Sequence, residues 1–286
     1  MIARKPEWLK VKLPSGDNYH KLRAIVRDRN LHTVCQEAMC PNIAECWGVG
    51  TATFMILGDT CTRGCRFCNV KTGKPNPIDP LESFKLAKSI DDLKLEYAVI
   101  TCVDRDDLPD GGAAQMAEAI RAIRQRTPRV KIEVLTSDYR GDEAALRTVI
   151  DARPDVFAHN IETTRALTRG VRDRRCDYEQ SLRVLQNAKR MHPDIFTKSS
   201  IMLGLGESDE DVLQTARDLR AAGVGIVTFG QYLQPTPKHL KVVEFVSPQK
   251  FAWFAEMVKP MGFHQVVSGP LVRSSYHAEQ AFATKL

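Results

Sequence analysis

Thr51-Ala-Thr-Phe-Met-Ile-Leu57-Gly-Asp-Thr-Cys61-Thr-Arg-Gly-Cys65-Arg-Phe-Cys68 decides how the chain is read. An apolar, β-rich run from Ala52 to Leu57 is broken by Gly58 and Asp59, and three cysteines follow at C-x3-C-x2-C spacing. Beyond it, apolar runs alternate with segments of helical period. Strands are expected at Ala52 to Leu57, Tyr97 to Val103, Lys131 to Thr136, Val156 to Ile161, Lys198 to Leu203 and Gly225 to Tyr232. Helical patterns occupy Leu81 to Leu93, Ala113 to Arg126, Asp142 to Asp151, Tyr178 to Met191, Asp209 to Ala222 and Pro248 to Val258, with Asp142 and Asp209 at helix starts and Gly223 as a stop. Six strand–helix units in series imply parallel pairing, so the expected fold is α/β: a partial, open (β/α)6 TIM-type barrel, short of the eight units that close one. Residues 1–50 read as an N-terminal extension, 51–247 as the barrel and 248–286 as a C-terminal extension closing over it. Chemistry in such folds gathers on the loops after the strands, which is where Cys61, Cys65 and Cys68 fall.

The composition bounds the rest. With 286 residues, 43% hydrophobic and 27% charged, the chain can bury one large core. No apolar run approaches the roughly 20 residues that cross a bilayer, and the start shows no secretory signal, so a soluble protein of the reducing cytoplasm is expected. The net charge is +6, and residues 1–30 alone carry eight Lys and Arg against Glu7, Asp17 and Asp28. That basic arm suits an acidic partner or a nucleic acid, and equally a solvated surface.

Six of the eight cysteines lie in two triplets, the other being Cys35, Cys40 and Cys46 at C-x4-C-x5-C spacing. Close clustering without a secretory signal argues against disulfides. Zinc usually draws four ligands from two pairs, whereas each triplet here is one thiolate short. Iron–sulfur clusters take cysteine thiolates, normally four, so two clusters are expected, each with one iron left for another ligand. Cys102, within a strand pattern, reads as a small core residue, and Cys176 is expected to carry no cluster.

The spacing of Cys61, Cys65 and Cys68, with Phe67 before the last, resembles the signature of the radical S-adenosylmethionine enzymes. Together with the upstream triplet, Val99-Ile-Thr-Cys-Val-Asp-Arg-Asp-Asp-Leu108, His159-Asn160, Met202-Leu-Gly-Leu-Gly-Glu207, Gly230-Gln-Tyr-Leu-Gln-Pro235 and Arg273-Ser-Ser-Tyr-His-Ala278, it resembles the lipoyl synthase family over most of the chain. The resemblance implies that the second triplet holds a 4Fe-4S cluster whose open iron chelates S-adenosylmethionine. Cleavage of that cosubstrate then gives a 5′-deoxyadenosyl radical that abstracts hydrogen from C6 and C8 of an octanoyl chain. It also implies that Cys35, Cys40 and Cys46 hold an auxiliary 4Fe-4S cluster, the sulfur donor, with Ser275 as fourth ligand and Ser274 as the alternative. Serine is a harder ligand than thiolate, which suits a cluster that must come apart. From the residues alone, the serine pair reads as the N-cap of a helical pattern from Tyr276 to Phe282.

Cosubstrate contacts implied by the resemblance are Phe67, Asp104, Asn160, Glu162, Arg172, Gly204, Gly206 and Glu207. Other readings stay open for several of them: Gly204 and Gly206 as a strand-to-helix turn, Glu162 as the partner of Arg165 or another cation, and the arginines from Arg169 to Arg175 as a solvated loop. The implied partners are octanoylated lipoyl carrier domains or the glycine-cleavage H protein, an electron donor such as flavodoxin or ferredoxin, and a carrier that rebuilds the cluster. A tRNA methylthiotransferase is the nearest rival, but no appended RNA-binding module fits within 286 residues. An iron–sulfur electron carrier would not need the long βα scaffold.

Overall fold

The structure, a computed structural model, describes residues 4–11, 16–48 and 51–275. The chain divides into two compact units, one of residues 11–63 and 70–157 and the other of residues 1–10, 64–69 and 158–286.

The first unit begins with α1 (Asp17–Asp28), β1 (His32–Thr33), α2 (Val34–Glu37) and α3 (Ile43–Gly48). The alternation expected from sequence follows: β2 (Thr53–Ile56), the short β3 (Thr60–Cys61) and β4 (Lys71–Thr72), then α4 (Glu82–Asp92), β5 (Tyr97–Cys102), α5 (Ala113–Arg126), β6 (Lys131–Leu135) and α6 (Glu143–Asp151). β2 pairs with β5 and β5 with β6, both parallel, with Thr53 opposite Val99 and Tyr97 opposite Lys131. These strands are buried along nearly their whole length, and in β2 and β5 this leaves mostly apolar runs rather than alternation, whereas β6 keeps Lys131 and Glu133 among its apolar residues. Leu86 and Ile90 of α4 and Met116, Ile120 and Ile123 of α5 are fully buried, at the helical spacing that marks one core-facing stripe. Asp142 caps α6 by accepting from the amides of Ala144 and Ala145.

Residues 1–50 carry no strand pattern in their sequence, yet β1 pairs antiparallel with β2. Two residues, His32 and Thr33, are too few to leave a periodic pattern.

The chain passes from one unit to the other at β7 (Val156–Ala158). The second unit continues with α7 (Thr168–Val171), α8 (Tyr178–Met191), β8 (Phe196–Leu203), α9 (Asp209–Ala221), β9 (Ile226–Gln231), α10 (Pro248–Val258) and β10 (Gln265–Gly269). β8, β9 and β10 are parallel neighbours in that order. Phe229 of β9 stacks on Phe254 of α10 with centroids 6.1 Å apart, both rings fully buried. Asp177, Ser208 and Ser247 cap α8, α9 and α10, and Gly223 ends the α9 segment at φ 84°. β10 adds a parallel strand that the sequence pattern missed, because Gln265-Val-Val-Ser-Gly269 offers only two strongly apolar residues. Among the described residues no helix is long and apolar enough to cross a membrane.

Candidate metal centre

In the first unit, β2 ends in a strained turn. Leu57 and Gly58 have φ of 70° and 88°, and the Glu82 carboxylate accepts from their amides at 3.0 and 3.4 Å. Arg105 donates to the Leu57 carbonyl at 3.1 Å. Burial pushes Glu82 up from the ordinary carboxylate range, against the amides that favour its charge. This clamp aims the chain into Cys61. The Cys61 thiol donates to Asp104 Oδ2 at 3.6 Å, and its sulfur accepts from the Arg63 amide at 3.4 Å. The Arg63 side chain, almost wholly buried, is enclosed by Asp104, Asp106 and Asp138. Burial pushes Asp104 up to about 6, with Arg63 working the other way.

Of the upstream triplet, Cys35 lies on α2, Cys46 on α3 and Cys40 in the loop between them, all in the same unit. Thr33 caps α2 by accepting from the Gln36 amide at 3.3 Å. Cys35 is buried, and burial, with the nearby Cys40 charge, pushes its thiol up to about 11. Trp47, fully buried on α3, lies beside that sulfur, and Tyr19 of α1 packs on the indole with centroids 5.3 Å apart.

In the second unit, Cys65 and Cys68 are fixed by their backbone neighbours. The Asp173 amide donates to Cys65 Sγ at 3.3 Å, while the Asp173 carboxylate accepts from the Gly64 amide at 2.8 Å. Arg175 beside that carboxylate, helped by the Gly64 amide, holds it well below the usual range despite partial burial. The Arg66 amide donates to the Val171 carbonyl and its guanidinium to the Gly170 carbonyl. His239 Nε2 lies 3.0 Å from the Cys68 carbonyl, which can only accept, so Nε2 carries a proton; Thr236 Oγ1 is 2.9 Å from Nδ1. Phe67 packs on Val171, Leu205 and Tyr232. Cys176, assigned no cluster, is buried with its thiol within hydrogen-bond reach of Cys65; that contact and burial push the Cys65 thiol up.

The same unit gathers several of the expected cosubstrate residues. Asn160 donates to Glu162 Oε1 at 3.2 Å, while its own Oδ1, like Thr163 Oγ1 and Thr164 Oγ1, is buried with no hydrogen-bond partner. Burial pushes Glu162 up, and the opposing cation is Arg172, itself buried and donating to Ser181 Oγ at 2.8 Å. Arg165, the other candidate partner, instead lies over the Tyr178 ring and pairs with Asp218 and Glu179. Gly204 and Gly206 have φ of 95° and 105°, and a Cβ on Gly204 would meet Gln231 Nε2 and the Glu244 carbonyl at 2.3 Å. Glu207 turns back to accept from the Gly204 and Leu205 amides, so its carboxylate holds this turn. Ser274 and Ser275 are half-buried, and the helical pattern expected after them lies outside the described residues.

Among the described residues no three His, Cys, Asp or Glu side chains form a group set to hold a metal ion. What fits a cluster is the chemistry around two of the sulfurs: backbone amides donate to Cys61 and Cys65, the kind of bond that stabilises and tunes cluster thiolates. What fits a polar cosubstrate is the set of orphaned buried oxygens at Asn160, Thr163 and Thr164. Burial favours the protonated thiol at Cys35, and a metal held there would have to displace that proton.

An α/β scaffold of parallel strands with a cysteine triplet after its first parallel strand defines a class, and the comparisons agree. The model of the radical SAM superfamily matches residues 55–219, more than half of the chain, so the chain belongs to it. The model of the N-terminal domain of lipoyl synthase of the radical SAM family matches residues 2–40. A lipoyl synthase of Anaeromyxobacter sp. (strain Fw109-5) is 58% identical over 99% of this chain and 96% of its own. That of Thermus thermophilus is 55% identical over 97% and 86%, and the mitochondrial lipoyl synthase of Rattus norvegicus 53% identical over 99% and 78%. The chain is a member of the lipoyl synthase family. Among solved structures, methylornithine synthase aligns with a TM-score of 0.58 at 14% identity, covering 75% of this chain and 70% of its own, which shows the shared fold.

Proposed function

We infer that the protein is a radical S-adenosylmethionine sulfurtransferase that inserts two sulfur atoms, at C6 and C8, into a protein-bound octanoyl chain to give the lipoyl group. The observation that carries this reading is the 53–58% identity to lipoyl synthases over nearly the whole chain, a span that includes both cysteine triplets.

In this reading Cys61, Cys65 and Cys68 hold one 4Fe-4S cluster, and Cys35, Cys40 and Cys46 hold the auxiliary one with Ser275. When bound, the clusters and S-adenosylmethionine supply the radical chemistry and the sulfur. The chain's own residues bind, orient and exclude water. The amides of Arg63 and Asp173 stabilise the Cys61 and Cys65 thiolates. Phe67 anchors the loop between Cys65 and Cys68 on Val171, Leu205 and Tyr232, and His239 holds the Cys68 carbonyl. Asn160, Glu162 and Arg172 offer an acceptor, a carboxylate and a cation to the polar groups of the cosubstrate, with Gly204, Gly206 and Glu207 forming the turn after β8; Asp104, beside Cys61, is a further proposed contact. The chain divides functionally into the segment of residues 1–50, the catalytic scaffold of 51–247 and a C-terminal segment of 248–286 that supplies Ser275.

The substrate is an octanoyl-lysine on a lipoyl carrier domain or glycine-cleavage H protein. An electron donor of the flavodoxin or ferredoxin kind and a cluster-rebuilding carrier complete the cycle. Thiolate ligands call for a reducing compartment, and the cytoplasm is the proposed one.

Anaerobically reconstituted, reduced protein mixed with S-adenosylmethionine and an octanoyl-lysine peptide should give a peptide carrying two added sulfurs by mass spectrometry. An unchanged peptide, or a methylthio group on RNA instead, would redirect the assignment.

A further inference from the structure

Arg63, between the first two cysteines of the second triplet, is a buried arginine whose N–H groups are all engaged. Nε and Nη2 donate to the two oxygens of Asp106 at 3.0 and 2.8 Å. Nη1 and Nη2 donate to the two oxygens of Asp138 at 2.9 and 2.8 Å. Nη1 also lies 3.3 Å from Asp104 Oδ1, whose other oxygen faces Cys61 Sγ at 3.6 Å. Two carboxylates are thus gripped by the planar fork of one guanidinium, which lysine cannot reproduce. Thr62 adds a hydroxyl bond to Asp106 Oδ2 at 2.9 Å and an amide bond to the Asp104 carbonyl at 2.9 Å.

A stability role alone is a poor explanation. A buried ion cluster of three carboxylates and one guanidinium costs desolvation that apolar residues would avoid. What it secures is geometry and charge at one sulfur: the Arg63 backbone amide bonds Cys61 Sγ, and its guanidinium offsets the carboxylate that faces the same sulfur. A thiolate beside an uncompensated Asp104 would be repelled.

We propose that Arg63 is the positioning residue for the radical cluster, fixing the cysteine loop against Asp106 and Asp138 and screening Asp104 so that Cys61 can serve as an iron ligand. This rests on the assignment of Cys61, Cys65 and Cys68 to that cluster. In this role Arg63 is no ligand but acts through Cys61.

The test uses full-length protein reconstituted anaerobically, with iron and acid-labile sulfide counted before and after a chelator challenge. Electron paramagnetic resonance of the reduced protein is recorded with and without S-adenosylmethionine, and apoprotein melting is followed separately. Loss of an outer-shell partner typically weakens metal retention by about 10- to 100-fold. Arg63→Met should therefore lose one cluster that much more readily, together with the spectral change on adding cosubstrate, while the other cluster stays. Arg63→Lys, which keeps the charge and loses the fork, should fall between. Asp138→Asn, a milder change should Arg63→Met not fold, should show the same selective loss in smaller degree. If the arginine variants retain both clusters like the parent, or lose both in step with apoprotein melting, the proposal is wrong. Cys61→Ala separates the two levels: if it too keeps both clusters, the ligand assignment fails; if it loses one and Arg63→Met does not, only the role of Arg63 fails.

Discussion

The two cysteine triplets are held by different physics. Cys61 stands beside a buried guanidinium–carboxylate cluster, and Cys65 beside an amide and carboxylate that fasten the adjoining backbone. Cys35 is buried on a short helix beside Trp47, which is itself covered by Tyr19, and takes a neutral hydrogen bond from the Thr53 backbone. Charge networks fix direction sharply, while apolar contacts fill space and tolerate rearrangement. The difference matches the proposed division of labour, in which one cluster persists through each turnover and the other surrenders sulfur.

The largest effects should separate the triplets outright. Cys61→Ala should abolish both 5′-deoxyadenosine and lipoyl formation, whereas Cys40→Ala should still release 5′-deoxyadenosine and make no lipoyl group, both read by chromatography and mass spectrometry. Equal loss of 5′-deoxyadenosine in the two variants would erase the distinction. Next in size, Trp47→Ala should cost about 3–5 kcal/mol of the local packing that carries Cys35, seen in urea unfolding of the apoprotein and in preferential loss of the auxiliary cluster.

Gly204→Ala addresses the other side of the comparison. Its Cβ would strike Gln231 and the Glu244 carbonyl at an already left-handed φ, so a loss of about 1–3 kcal/mol is expected. Cosubstrate affinity should weaken and the iron content should not change. A smaller effect, distant in sequence from both triplets, serves as control. Burial opposes the charge of Asp155, but hydrogen bonds from Arg124 and the Ile132 amide outweigh it and hold its carboxyl below the ordinary value. Its stabilisation is therefore complete above the unfolded carboxylate pKa of about 3.9 and is lost as pH falls through the lower folded value. Asp155→Asn should flatten the acid limb of the stability–pH curve below about pH 4 and leave both clusters in place.

Much of this was legible in the chain because the physics is local. Tyr97 to Cys102 is buried along nearly all its length, so its strand shows as a largely apolar run; Asp142 and Asp209 announce helices because helix starts are a matter of two or three residues. β10 was not legible, since its residues are only half-buried and its place depends on β9. Nor was Arg63, whose partners Asp106 and Asp138 lie 43 and 75 residues away and whose neighbours in sequence carry no sign of them. A buried arginine beside a metal-type cysteine is recognised only once the loops after β5 and β6 are in place. Glu162 follows the same rule: sequence proximity suggested Arg165, and the fold supplies Arg172.

The central claim, that one cluster persists and the other is consumed, is tested most directly by labelling. Protein whose clusters are rebuilt with 34S-sulfide, given S-adenosylmethionine and octanoyl-lysine peptide for a single turnover, should yield lipoyl product carrying two 34S atoms, with the iron of the Cys35–Cys40–Cys46 site released and that of the Cys61–Cys65–Cys68 site retained. Product with unlabelled sulfur, or full product from Cys40→Ala protein, would contradict it.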